Sequence, residues 1–143
     1  QKNKQTPLTL ETLTLAALIH NIGVLPILTE AEGHPTVFAK PAFLNKAINK
    51  FSHVIGAEMT KNWGFSEEYT DLVMSWNDLS FLPKDVHYID FIRAGAVYHE
   101  IFKNESTRDF LLRSYVDKGI LPKLNFMASA EFSDVLVKAR SMF

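Results

Sequence analysis

The chain has 143 residues, enough for one domain of ordinary size. With 15 basic and 16 acidic residues its formal charge is −1, which argues against nucleic-acid binding through a broad positive surface. Hydrophobic residues make up 47%, too many for a disordered chain, and the absence of cysteine excludes disulfides and thiolate metal sites. A reducing compartment, the cytoplasm, is therefore the expected location. No apolar run is read as reaching the ~18 residues of a membrane span, so no membrane association is expected. The polar first residues are unlike a signal peptide. A chain starting at Gln1 is expected to be a piece of something longer.

In chain order, residues 1–7 form a polar opening expected to be a disordered tail. Leu8, Leu10, Leu13, Ala16, Ala17 and His20 then make an apolar helical stripe, which Gly23 and Pro26 end or bend. Residues 29–41, with Gly33, Pro35 and Pro41, read as the clearest loop. A helix over 42–62 carries Phe43, Leu44, Ala47, Ile48, Phe51, Ile55 and Met59 at spacings of three or four, and Gly64 supplies its left-handed cap. Ser66 is the N-cap of a helix over 67–79 whose Glu67 and Glu68 suit its positive end. A further helix from near Lys84 is expected to bury Val86, Ile89, Ile92, Ala96 and Val97. Ser106 and Asp109 have capping-box spacing for a helix through Tyr115, Gly119 and Pro122 break the chain, and 129–142 read as a terminal helix. The fold class is all-α.

Two segments carry a resemblance. Residues 13–28, LTLAALIHNIGVLPIL, hold a His-Asn doublet followed by Ile-Gly. Residues 53–78, HVIGAEMTKNWGFSEEYTDLVMSWND, run His, Gly-Ala, Trp-Gly, Glu-Glu, then a polar cluster. In that order they resemble the HDOD domain of the HD superfamily, in particular its C-terminal HD-like lobe. The resemblance implies a compact multi-helix HD-like bundle over 8–103, with 104–143 as a C-terminal helical extension. It also implies a bacterial, cytoplasmic signal-transduction module, joined to protein partners or other signalling domains.

The same resemblance implies where a metal site would lie. HD phosphohydrolases hold a divalent ion through a His-Asp doublet, a preceding His and a later Asp, because imidazole and carboxylate together bind the ion and acidify its water. Here the doublet is His20-Asn21, and Asn is a neutral donor that cannot act as a base. No His precedes His20, and residues 93–100 place Ala or Gly where the later Asp would align. Trp76 and Asn77, with Asp78 after them, stand where many relatives carry a His pair. His20, His53 and one of Asp78 or Asp90 are what remains, too few donors to grip an ion.

His20, Asn21, His53, Trp76, Asn77 and Asp78 are therefore read as vestigial site positions, with no catalytic residue, no metal and no cofactor expected. The plainer reading of His20 and His53 is structural: half-buried rings bonded to backbone or a polar neighbour such as Asn21. Trp76 is expected to plug the former site, and Trp63 to pack back on the core. His34 reads as a solvated turn residue, and His99 as a cation at a helix C-terminus. The expected function is a non-catalytic regulatory interaction module. The competing readings are an HD-type phosphohydrolase acting on a nucleotide or cyclic dinucleotide, and a non-reacting nucleotide sensor. An exposed apolar face left by a missing lobe would make the chain a homodimer.

Overall fold

A computed structural model describes residues 7–142. Residues 1–6 of the expected tail lie outside the described residues. All secondary structure among the described residues is helical, as expected: α1 (Leu10–Ile19), α2 (Val24–Gly33), α3 (Pro35–Phe38), α4 (Pro41–Asn62), α5 (Glu67–Ser75), α6 (Tyr88–Tyr98), α7 (Glu105–Asp117), a 3₁₀ turn (Phe126–Ala128) and α8 (Ala130–Ser141). The chain divides into two units, Gln1–Leu82 and Pro83–Phe143.

In the first unit α4 packs along α5 and against α2, and α1 also meets α5. Thr9 caps α1 by accepting the Thr12 amide. The expected apolar stripe of α1 is corrected in part: Ala16 is buried as expected, but so is Ile19 outside the stripe, whereas Leu10 is 75% exposed and Leu8 and Ala17 are exposed too. The helix is apolar on all sides, so spacing alone could not select its inner face. Together α1 and α2 also correct the expectation about apolar runs. Within Leu10–Gly33 an 18-residue window has mean hydropathy 1.6 and passes, by length and composition, as a membrane-spanning stretch. A turn at residues 20–23 divides it into helices of ten residues each. Each is about 15 Å long at 1.5 Å per residue, half the hydrocarbon thickness.

The stretch expected as a loop, 29–41, is largely helical. Helix α2 runs to Gly33, and Pro35 opens α3 at a position where its missing N–H is no loss. His34 joins them, its Nε2 2.9 Å from Glu30 one turn earlier. Helix α4 ends as expected: Gly64, at φ +77°, donates to the Lys61 carbonyl and Phe65 to that of Thr60, a Schellman closure. The buried face of α4 is not the Phe stripe but Ser52, Gly56 and Thr60, spaced four apart. Phe43 and Phe51 instead line an open apolar groove of about 290 Å³ with Pro26, Ile27, Phe38 and Ile55. Helix α5 stops at Ser75, four residues short of the expected end. Trp63, expected on the core, is 57% exposed beside the Phe65 ring.

In the second unit α6 starts at Tyr88, not near Lys84, and Val86 is exposed. Its N-cap is His87: Nδ1 accepts the Ile89 amide while the Asp90 carboxylate accepts the His87 amide, a capping box built on an imidazole. Ile89, Ile92, Ala96 and Val97 are buried as expected. Helix α7 is capped by Asn104, whose side chain accepts the Thr107 amide, rather than by the Ser106–Asp109 pair. Gly119 closes α7 in the left-handed region, and Ser129 caps α8.

Asp90 and Arg93 are the unit's two buried charged residues among those described. Both Asp90 oxygens accept from Lys118 Nζ, at 2.9 and 3.0 Å, with the two side chains 4% and 12% exposed. Nearby, burial and then the Asp90 charge raise the Tyr115 phenol far above its ordinary range, and its hydroxyl has no hydrogen-bond partner.

Candidate functional site

Three backbone segments of the first unit converge on two glycines. A Cβ on Gly23 would be driven into the Ser52 carbonyl oxygen and come within 2.6 Å of the Gly56 amide nitrogen. One on Gly56 would lie 2.8 Å from Val73 Cγ1 and 3.1 Å from the Gly23 nitrogen. No other residue type permits the turn after α1 to seat on α4 this closely. The seat also positions His20, His53 and Trp76. His20 lies three residues before Gly23, His53 three before Gly56, and Trp76 three after Val73.

His20 caps α1, half-buried, and its Nδ1–H donates to the Ala17 carbonyl at 2.6 Å. If neutral, the ring then carries its lone pair on Nε2. Its centroid stands 5.0 Å from the Trp76 ring, edge to face at 87°. Trp76 caps α5 and is only 8% exposed. The indole thus fills space beside the imidazole. His53, half-buried on α4, has a buried Nδ1 with no hydrogen-bond partner.

Within the first unit the other positions form no group of metal donors with His20. Asn21 is exposed, and His20 bonds Ala17 rather than this neighbour. Asn77 is half-buried just beyond α5. Asp78 is exposed and its Oδ1 accepts from the Ser80 amide and hydroxyl, at 3.0 and 2.7 Å. Asp90 is committed to Lys118 and to the α6 cap. Among the described residues no three His, Cys, Asp or Glu side chains are grouped to hold a metal ion. The donor set at His20 does not fit a divalent cation, which needs several such ligands in register. Sequence reasoning missed the Asp90–Lys118 pair, since a Lys 28 residues away carries no local signal. It also missed the His87 cap, because His is not among the favoured N-cap residues.

Burial holds the His20 imidazole below its ordinary pKa of 6.5, partly opposed by the bond to Ala17. Below pH 6.5 the unfolded chain therefore takes up more protons here than the folded one. The contribution to stability is complete above about pH 6.5 and is lost as pH falls through the folded value. His20→Gln is expected to flatten the loss of stability between pH 7 and 5, read from urea midpoints. An unchanged pH slope would contradict this.

No family model and no curated protein matches the chain. A solved structure does: the "putative metal-dependent phosphohydrolase from Shewanella amazonensis SB2B", 40% identical, with a TM-score of 0.73 over 82% of this chain. This chain spans 42% of that protein's length. At that identity the likeness carries the fold, an HD-like, all-helical arrangement.

Proposed function

We propose that the chain is a non-catalytic regulatory interaction module of the HDOD type, bacterial and cytoplasmic. The observation that carries this reading is the state of His20. One of its nitrogens bonds the Ala17 carbonyl, Trp76 packs against its ring, and its neighbour is the exposed Asn21, not an Asp. A metal-activated water needs several protein ligands on the ion, and among the described residues no three His, Cys, Asp or Glu side chains are grouped to supply them. The test is hydrolysis of bis(p-nitrophenyl) phosphate and of cyclic dinucleotides with Mg²⁺ or Mn²⁺. No turnover is expected, and metal-dependent turnover abolished by His20→Ala would overturn the reading.

The name of the Shewanella protein favours a second reading, a metal-dependent phosphohydrolase. It requires ligands from outside the described residues, and the same assay decides against or for it. As a partner we propose a second copy of this chain, seated on the apolar groove that Phe38, Phe43 and Phe51 line. Light scattering is expected to give a dimer, and a monomer across micromolar concentrations would contradict it.

A further inference from the structure

The second unit carries a groove that none of the preceding readings uses. It has a volume of about 550 Å³ and is lined by Pro83, Lys84, Phe110, Arg113, Ser114, Asp117 and Lys118. That volume is in the range of small-molecule sites, roughly 300–1,000 Å³. Three of the lining residues are cations and one is an acid, in a chain whose formal charge is −1.

The cations are not used up by the fold. Arg113 stands one helical turn from both Asp109 and Asp117, the spacing at which a helix pairs opposite charges. It forms an ion pair with neither, and Lys84 likewise has no ion-pair partner among the described residues. Lys118 is different. Its Nζ donates to both oxygens of the buried Asp90, which fixes the ammonium at the groove wall and leaves the third proton without an acceptor among the described residues. The groove thus joins one anchored donor to two free charges, with the Ser114 side chain between them in sequence. Phe110, 53% exposed, has no aromatic neighbour among the described residues.

The geometry points to a binding site for a small phosphate monoester that carries a planar ring, the chemistry of a nucleoside monophosphate. Arg113 matches phosphate oxygens with paired N–H donors, Lys84 adds a point charge and Lys118 a fixed hydrogen bond. The ring stacks on Phe110. Asp117 lowers the net positive charge of the groove, which favours one phosphate group over a more highly charged di- or triphosphate. The site shares no residue with the His20–Trp76 contact, so it stands or falls independently of the function proposed above.

Titrating the ¹⁵N-labelled chain with adenosine 5′-monophosphate tests it, with adenosine and inorganic phosphate as separate probes. Saturable amide shifts are expected at Lys84, Phe110, Arg113 and Ser114, with the monophosphate binding roughly ten-fold tighter than either control. The double variant Lys84→Ala, Arg113→Ala is expected to weaken the monophosphate by roughly ten-fold or more and leave adenosine unchanged. Phe110→Ala should bring the monophosphate down to the level of inorganic phosphate. All three side chains are exposed, so an unchanged amide spectrum elsewhere certifies the fold. Three outcomes would overturn the site: no saturation at millimolar monophosphate, adenosine binding as tightly, or shifts confined to other residues.

Discussion

Gly23→Ala is expected to destabilise the first unit by roughly 3 kcal/mol, the upper part of the range for overpacking. The added methyl would meet the Ser52 carbonyl and the Gly56 amide, both backbone, so no rotamer change relieves the clash. The turn would have to lift off α4, which would separate His20 from Trp76 and pull α1 away from α5. In thermal unfolding this amounts to a fall of more than about 10 °C for a unit of this size. Gly33→Ala is the matched control, because a Cβ there meets nothing within 4 Å. It should leave stability unchanged or raise it by a few tenths of a kcal/mol, as Ala favours helix over Gly. Equal effects at the two glycines would refute the seat.

Lys118→Met should cost at least as much, about 3–5 kcal/mol, because it leaves the Asp90 carboxylate buried without the Lys118 cation. Asp90 has only 4% of its side chain exposed, and it also accepts the His87 amide. The loss should be largely recovered by adding Asp90→Asn, since a neutral amide can still accept from His87 and needs no counter-charge. Urea denaturation of the two single variants and the double variant measures the coupling. A cost below about 1 kcal/mol for Lys118→Met would place the pair with ordinary surface ion pairs.

These residues also mark what could be read from sequence. Some helix ends were legible: the left-handed closure at Gly64, the break at Gly119, the start of the last helix near Ser129, and the N-cap position of Ser66, though the Ser66 side chain makes no cap hydrogen bond. Ends set by unusual chemistry were not. His87 caps α6 in place of Ser or Asp, so the start was read four residues early. Pro35 and Gly33 suggested a loop because both residues punctuate chains, yet each sits where a helix tolerates it. The inner face of α4 was misread for a packing reason. Large apolar residues usually point inward, but the close seat of the turn on α4 selects Ser52 and Gly56 and turns Phe43 and Phe51 outward. Of the site, His20 and Trp76 were singled out from the sequence, and their rings do meet edge to face, 5.0 Å apart. The commitment of Asp90 to Lys118 was beyond reach, because it joins two helices far apart in the chain.

The central claim concerns coordination: the donors that remain about His20 are too few to bind a divalent ion. Calorimetric titration of Mn²⁺ into the purified chain, beside elemental analysis of the protein as isolated, tests it most directly. The account predicts no saturable uptake at micromolar metal, and the same baseline for the wild type and His20→Ala. One equivalent of tightly bound metal, lost on His20→Ala, would contradict it.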